Sequence, residues 1–287
     1  MEHYPVMAEE ALEYLAIRPD GVYVDATTGL GGHTGRIAAQ LTTGMVLAND
    51  RDESSLAMAR QNTREWGERI RYHHGTFGEL AEALADAGLE KAHGLLADLG
   101  VSRYQLTAPE RGFSFLSDGP LDMRMDRTTG ITAAELVNHM PERALADLIY
   151  QLGEERRARR IARAIVRARP LRSTLHLADV VERAAHRTSR VHPATQTFMA
   201  LRLKVNEEPE ELDRLLESGP ALLYPGGRMV VISFMSTDDR KVKERFRQLG
   251  REGKALILTK RPLQPSGEET AQNPASRSAK LRALEMI

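Results

Sequence analysis

Several residues that could do chemistry follow short apolar runs in this sequence. The first group lies in residues 25–35, where four glycines, Gly29, Gly31, Gly32 and Gly35, follow the apolar residues 22–24. Glycine lets the backbone turn sharply and come close to a ligand because it has no Cβ. A strand, a glycine-rich turn and the start of a helix, in that order, predict a cofactor cradle in an open α/β sheet. The alternative is an ordinary flexible connection between a strand and a helix.

Three further apolar runs lead to side chains that suit the same site. The run 45–48 leads to Asp50, roughly 20 residues past the glycines, where this fold places an acid that hydrogen-bonds a ribose diol. Residues 70–74 precede Phe77, and the run 95–97 ends at Asp98. Because ligands of such sheets bind at the carboxyl ends of the strands, these side chains predict one nucleotide-like site.

Two cofactors carry an adenosine whose ribose would suit Asp50, namely NAD and S-adenosylmethionine. A dinucleotide site has the spacing G-x-G-x-x-G, which lays a pyrophosphate against a helix N-terminus, whereas here the last glycine is displaced to Gly35. Asp25, an acid at the end of the first strand, suits a cationic amino-acid ligand better than a diphosphate. The loop favours S-adenosylmethionine, and NAD stays open as the alternative.

Composition excludes several classes of protein. The chain has 287 residues and 41% apolar residues, enough for one large domain or two modest ones with a real core. It has no cysteine, which excludes disulfides, thiolate metal sites and cysteine nucleophiles. No apolar run approaches the ~20 residues of a membrane span, and residues 1–17 hold too many acids for a signal peptide. We therefore expect a cytoplasmic protein.

The net charge of zero hides an uneven distribution along the chain. Residues 1–100 hold 8 Lys/Arg against 16 Asp/Glu, whereas residues 154–190 hold 11 Arg against 4 acids. The densest part of the basic segment consists of Arg156, Arg157, Arg159, Arg160 and Arg163. Like charges this close repel one another, so contact with the phosphates of a nucleic acid is the favoured interpretation. The alternative is a solvated helix face.

Strand and helix patterns alternate up to about Gly100, as in a parallel doubly wound sheet. From residue 103 to about 208 no strand is indicated, and apolar spacing predicts long helices at residues 133–152, 154–169 and 175–187. After a helix at 210–217, strands are predicted at residues 228–233, 255–258 and 281–285. We predict an α/β domain of residues 1–102 and 209–287, interrupted by a helical insertion of residues 103–208.

Residues 262–278 are polar and rich in Pro, Ser and Gly, which predicts a long loop. The segment 122–126 holds Asp122 and Asp126 on either side of Arg124. Two nearby carboxylates invite a metal, but the arginine between them favours an internal ion-pair network. We therefore predict no metal site, also because the histidines lack the spacing of a ligand set.

Blocks spread along the whole chain carry a resemblance to a known family. They comprise residues 3–7, Gly31-Gly32-His33, residues 98–102, 111–115, 119–126, 150–155, 192–198 and 273–278. With these blocks in this order, the sequence resembles the bacterial 16S rRNA cytosine-N4 methyltransferases, the RsmH or MraW family. The resemblance implies an α/β fold of the Rossmann-like class I S-adenosylmethionine-dependent methyltransferases with a helical insertion domain.

The resemblance also implies an activity, a cofactor and a partner. The activity would be methyl transfer from S-adenosyl-L-methionine to N4 of a cytidine in the decoding (P-site) region of 16S rRNA. The cofactor site would be lined by Gly31, Gly32, His33, Asp50, Phe77, Asp98 and Gln105. Asp98 would lie beside the reacting methyl group and is the candidate catalytic residue. The partner would be 16S rRNA or the 30S subunit, contacted by the insertion. By their charge, Arg277 and Lys280 near the final loop are weaker candidates for the same contact.

The sequence departs from the family pattern at three places. Ala26-Thr27-Thr28 stands where the family usually has Gly-Thr-Phe, so an aromatic side chain is missing at position 28. Met235 replaces a histidine of the pattern, and we give it no catalytic role. The segment before Gln105 also differs, as Ser102-Arg103-Tyr104 replaces Ser-Ser-Pro.

Two other functions remain as alternatives at this stage. One is an NAD-dependent oxidoreductase that uses the same loop and Asp50. The other is a non-catalytic ribosome-assembly factor that keeps the fold, against which the intact glycine loop, Asp50 and Asp98 argue. The residues name no general base, and they leave the oligomeric state open, with a dimer as one alternative.

Overall fold

The structure, a computed structural model, describes residues 5–185 and 192–287. Residues 3 and 4 of the first family block and residues 186 and 187 of a predicted helix lie outside the described residues. The strands are β1 (Val22–Asp25), β2 (Met45–Asp50), β3 (Ile70–His74), β4 (Ala92–Asp98), β5 (Leu223–Ser233), β6 (Ala255–Ile257) and β7 (Lys280–Met286).

Helices occupy most of the remaining described residues. They are α1 (Ala8–Leu15), α2 (Gly32–Gln40), α3 (Glu53–Asn62), α4 (Leu80–Asp86), α5 (Arg103–Thr107), α6 (Ala133–His139), α7 (Glu142–Gly153), α8 (Ala158–Ala168), α9 (Thr174–Ala185), α10 (Ala194–Val205), α11 (Glu208–Ser218), α12 (Ser236–Arg251) and α13 (Gly267–Gln272). In the described part of the chain, no helix is long and apolar enough to cross a membrane.

The strands form one sheet in the order β3-β2-β1-β4-β5-β7-β6. All seven predicted strands are present, but β5 begins at Leu223, five residues before the start predicted from the sequence. The sheet is not wholly parallel, because β7 runs antiparallel to both β5 and β6. The strand order reverses between β1 and β4, which are paired and parallel. In a doubly wound sheet this reversal opens a crevice at the carboxyl ends of those two strands.

Alternate residues of the central strands point to the two faces of the sheet. One face holds Val24, Leu95 and Val231 and packs against α4, α11 and α12. The other face holds Leu96 and Val230 and packs against α1 and α2. Helices therefore cover both faces of the sheet, as the Rossmann-like class I methyltransferase fold requires.

The chain divides into two compact units, residues 1–100 with 209–287 and residues 101–208. The sheet lies in the first, which we call the sheet unit, and α5–α10 lie in the second, the helical unit. The helical unit has its own core, built around Ile161, Leu177 and Leu201. The boundaries differ by two residues or fewer from those expected from the sequence.

Two details of the predicted elements were wrong. The helix predicted for residues 133–152 is two helices, α6 and α7, because Pro141 separates them and leaves Met140 extended. The predicted loop 262–278 contains α13 and a short 3-10 helix, Pro274–Ser278. Ser266 caps α13 by accepting a hydrogen bond from the Glu269 N–H at 3.0 Å.

Several family blocks hold the helical unit together. Arg111 is buried, and its Nη2 donates to the carbonyl oxygens of Arg124 and Met125 at 3.0 and 2.9 Å. Asp122 accepts a hydrogen bond from Arg124 Nε at 2.7 Å and lies 3.3 Å from Arg127 Nε, which confirms the predicted ion pairing. Among the described residues, no group of three or more His, Asp or Glu is arranged to hold a metal.

Candidate active site at the carboxyl edge of the sheet

The glycine-rich loop leaves β1 at Asp25, a carboxylate with no exposed surface. Its Oδ2 accepts a hydrogen bond from Thr34 Oγ1 at 2.6 Å, and its Oδ1 accepts one from the Thr27 N–H at 3.2 Å. Burial raises the pKa of Asp25 to about 6, against these hydrogen bonds. Asp25 thus connects both ends of the loop to β1 through hydrogen bonds, and it places a carboxyl group against the loop. Contact with a ligand was the expected role, whereas its hydrogen bonds are structural.

Asp50, at the end of β2, organises the same loop from the other side. Its Oδ2 accepts a hydrogen bond from the Gly29 N–H at 2.7 Å, and its Oδ1 accepts one from the Asp52 N–H at 2.8 Å. Burial raises the pKa of Asp50 to about 6, opposed by these two hydrogen bonds. Each carboxylate oxygen has a second lone pair, so Asp50 can still accept hydrogen bonds from a ligand.

His33 lies in the first turn of α2 and is almost fully buried. Its Nε2 lies 3.0 Å from the carbonyl oxygen of Val6, an acceptor, so this nitrogen carries the proton. Its Nδ1 lies 3.9 Å from Asp98 Oδ2. The N-terminal segment therefore sets the orientation of the ring, and the ring in turn faces the acid at the end of β4.

Asp98 is the most unusual acid of the site. Its backbone N–H donates to Thr27 Oγ1 at 2.6 Å, whereas its Oδ1 is buried and has no hydrogen-bond partner among the described residues. Burial, together with the nearby carboxylates of Asp25 and Glu269, raises the pKa of Asp98 to about 8. A buried carboxyl oxygen without a partner is costly, so it points to a ligand that supplies the missing donor.

Glu269 on α13 is a site residue that the sequence interpretation missed. Its Oε1 accepts a hydrogen bond from the Met7 N–H at 2.8 Å. Met7 follows Val6, which contacts His33, so α13 holds the segment that orients the histidine toward Asp98. The pattern Ser266-x-x-Glu269 signals a helix start and could have revealed α13 within the expected loop.

The other predicted cofactor residues have different surroundings. Gly32 packs against Pro5, whose Cβ would lie 3.1 Å from a Cβ added at Gly32. Phe77 is half-buried after β3, and its N–H donates to Glu211 Oε2 at 3.0 Å. Gln105 lies in the helical unit, where it closes a capping box by accepting a hydrogen bond from the Ser102 N–H at 2.9 Å. The sheet unit thus holds six of the seven predicted cofactor residues.

The departures from the family pattern are accommodated without strain. Thr28 is buried, and its N–H donates to the Asn49 carbonyl oxygen at 2.9 Å. Met235 immediately precedes α12 and makes no side-chain capping hydrogen bond. Neither residue contributes a charged or proton-transferring group to the site.

Comparison with known proteins decides the family. The model of the MraW methylase family matches residues 1–287. The chain belongs to the MraW methylase family. The similar relatives are ribosomal RNA small subunit methyltransferases H. The protein from Solibacter usitatus is 72% identical over 99% of both chains. The protein from Koribacter versatilis is 49% identical over 98% of this chain and 93% of its own. The protein from Acidobacterium capsulatum is 48% identical over 99% of this chain and 98% of its own. Membership of a methylase family sets aside the NAD-dependent oxidoreductase.

The arginines predicted to contact RNA divide into two groups. Arg156, Arg159, Arg160 and Arg163 are exposed in the helical unit, and α8 buries Ile161 and Ile165 on its opposite face. Arg163 Nε lies 3.4 Å from Glu142 Oε1. Arg157 is half-buried, and its Nη1 donates to the Ala185 carbonyl oxygen, so this residue supports the helical unit. Arg277 is exposed, whereas Lys280 pairs with Asp239 at 3.7 Å.

The glycine loop of this MraW family member should not tolerate a side chain at position 31. Gly31 has φ +87°, and a Cβ there would lie 2.8 Å from Thr63 Cγ2. We expect Gly31→Ala to lower the free energy of unfolding by about 1–3 kcal/mol and the Tm by several degrees, measured by thermal denaturation.

Gly88→Ala is the matched control for this substitution. Gly88 also has positive φ, +73°, but nothing lies within 4 Å of its added Cβ. The control therefore isolates the backbone cost from the clash. Equal destabilisation by the two substitutions would show that the close packing of Gly31 contributes nothing.

Proposed function

We propose that this protein transfers a methyl group from S-adenosyl-L-methionine to N4 of a cytidine in the decoding region of 16S rRNA. The observation that carries the proposal is the buried, unpartnered Oδ1 of Asp98 at the end of β4, beside the crevice of the sheet. Family membership and the names of the similar relatives support methylation of small-subunit rRNA.

The residues of the sheet unit fit S-adenosylmethionine. When bound, this cofactor supplies a methyl group on a positively charged sulfur. Asp50 has lone pairs free for the ribose hydroxyls, and Phe77 offers a half-buried ring to the adenine. Asp25, Asp50 and Asp98 place three carboxyl groups around one loop, and each becomes easier to ionise beside a cation.

Asp98 can both position the acceptor amine and hold its proton. The amine of cytosine is a weak nucleophile because its lone pair is delocalised into the ring. Asp98 Oδ1 would accept a hydrogen bond from an N–H of this amine and so orient the nitrogen lone pair toward the methyl group of a bound cofactor. Alignment of the reacting atoms at about 3–3.5 Å is a major source of rate enhancement. The raised pKa of Asp98 means that the carboxylate can take up the proton that the methylated amine loses.

Two groups of exposed arginines, one in each unit, would contact the RNA. The arginines 156, 159, 160 and 163 of the helical unit would neutralise phosphates of 16S rRNA, and Arg277 of the sheet unit would add another contact. Arg157 is left out of this set because its guanidinium is engaged with Ala185.

The test is methyl transfer from labelled S-adenosylmethionine to 30S subunits isolated from cells that lack this modification. We expect label in 16S rRNA, and no label with subunits that already carry the modification. Binding of subunits without transfer of label would support the assembly-factor alternative instead. Label only in RNA of the large subunit would also contradict the proposal.

Cofactor binding should depend on pH in a defined direction. Without ligand, the raised pKa values keep Asp98 protonated below about pH 8. A cationic ligand favours the ionised carboxylate, so binding releases protons, and affinity rises with pH up to that value. The gain is at most about tenfold per pH unit for one proton released. Calorimetry between pH 6 and 8, in buffers of different ionisation enthalpy, measures both affinity and proton release.

The variant Glu269→Gln measures how much the charge of Glu269 contributes to the raised pKa of Asp98. The amide oxygen can still accept the hydrogen bond from Met7, while the negative charge that raises the pKa of Asp98 is removed. Proton release at pH 7 should therefore decrease in this variant. An unchanged proton release in Glu269→Gln would show that Glu269 does not influence Asp98.

A further inference from the structure

A cavity lies in the sheet unit, between α12 and the strands β6 and β7. It has a volume of about 240 Å³. Four cationic residues line it, Lys243, Arg247, Lys260 and Arg282, together with the apolar side chain of Phe246. This cavity, which we call the basic pocket, is separate from the acids around the glycine loop.

Three of the four positive charges around the basic pocket are not balanced by an ion pair in the described part of the chain. No carboxylate lines the pocket in the part of the chain that the structure describes. Within the same described ranges, Lys243, Arg247 and Lys260 form no ion pair. Like charges gathered around one cavity repel one another, so they favour an anion between them.

The fourth cation of the pocket is fixed in place. Arg282 on β7 is nearly buried, and its Nε and Nη2 donate to Asp239 Oδ1 and Oδ2 at 2.6 and 3.2 Å. Burial opposes ionisation of Asp239, but the hydrogen bonds and charge of Arg282 hold its pKa below the usual value. Asp239 is also shared with Lys280 at 3.7 Å, so it cannot neutralise the other cations of the pocket.

Lys260, which lines the basic pocket, lies toward the same edge of the sheet as Asp98. Strands β4, β5 and β6 run in the same direction, and Lys260 follows the carboxyl end of β6. Three strand spacings separate β4 from β6, which amounts to about 14 Å. A chain of phosphates that passes Asp98 can therefore reach the pocket along one edge of the sheet unit.

We propose that the basic pocket binds a backbone phosphate of the RNA strand that carries the target cytidine. Phosphate matches the pocket because lysine and arginine both donate to its oxygens, and arginine does so with a planar fork. Over residues 1–100 the sheet unit is acidic, with 8 Lys/Arg against 16 Asp/Glu, so its contacts with RNA would come from residues 209–287, which include the pocket and Arg277. The proposal rests on the proposed function, since it assumes an RNA substrate.

The test compares two double variants that each remove two exposed positive charges. Arg247→Gln/Lys260→Gln removes them from the pocket, and Arg64→Gln/Arg71→Gln removes them near β3, at the opposite edge of the sheet. Affinity for unmodified 30S subunits is measured by filter binding over a range of KCl concentrations. We expect the pocket variant to bind roughly tenfold more weakly and its salt slope to fall by about one.

As a control, affinity for S-adenosylmethionine and the Tm are measured for both variants. Unchanged values would show that the fold and the cofactor site are intact. Equal weakening by the two double variants, or no weakening by the pocket variant, would overturn the phosphate site. Because the readout is binding, absence of methyl transfer by the wild-type protein would overturn the proposed function separately.

Discussion

Asp98→Asn is expected to lower kcat of methyl transfer by about 10²–10³-fold. The asparagine amide keeps the shape of the side chain but cannot take up the proton that the cytosine amine loses. Its NH₂ group can also point toward the cytosine amine, where it offers no acceptor. The Tm should not fall, because the substitution removes a buried carboxyl whose pKa is raised to about 8 by burial and by neighbouring acids. Initial rates with unmodified 30S subunits at saturating cofactor give the result directly.

Asp86→Asn is the control for that variant. Asp86 is an exposed acid at the end of α4, so the same chemical change there should leave kcat unaltered. Activity of Asp98→Asn within a factor of about three of the wild type would remove Asp98 from the mechanism.

Asp50→Ala should weaken binding of S-adenosylmethionine by about 100-fold or more. The substitution removes the acceptor of the ribose hydroxyls and also two hydrogen bonds that shape the loop, from Gly29 at 2.7 Å and Asp52 at 2.8 Å. Hydrogen bonds to charged groups contribute about 1.5–3 kcal/mol each, so losing the ligand bonds alone accounts for this factor. Titration calorimetry gives the Kd.

Asp50→Asn keeps one acceptor oxygen and should be intermediate between Asp50→Ala and the wild type. Equal affinities of the alanine variant and the wild-type protein would show that Asp50 only supports the fold of the loop.

The sheet could be predicted from the sequence because its strands are short apolar runs bounded by polar or glycine residues. Residues 45–48 and 228–233 are clear examples, and both lie within observed strands. The antiparallel direction of β7 could not be predicted in this way, because strand direction depends on pairing with β5 across the chain. Local apolar patterns carry no such information.

The positions of Asp50 and Asp98 at strand ends could be predicted from the sequence, whereas the contacts that connect the residues of the candidate site could not. Asp50 and Asp98 stand at strand ends, as the fold requires, and both gather around the glycine loop. The link from Glu269 through Met7 and Val6 to His33 depends on a contact between Glu269 and Met7, which are 262 positions apart in sequence. The missing partner of Asp98 Oδ1 likewise depends on burial, which a sequence pattern does not show.

Family blocks do not separate functional residues from structural ones. Arg111 belongs to such a block, yet its guanidinium lies buried against backbone carbonyls of the helical unit. Gln105 was assigned to the cofactor by resemblance, and the structure shows its amide in a capping box with Ser102. Geometry must therefore be consulted before a residue of a block is given a chemical role.

The central claim is tested most directly by the chemical identity and position of the methylated nucleoside. Unmodified 30S subunits would be treated with the protein and S-adenosylmethionine, and the 16S rRNA digested and analysed by mass spectrometry. We expect N4-methylcytidine, confined to one fragment from the decoding region and absent with Asp98→Asn. A methyl group on carbon 5 of cytosine, on a ribose or on another base would contradict the central claim.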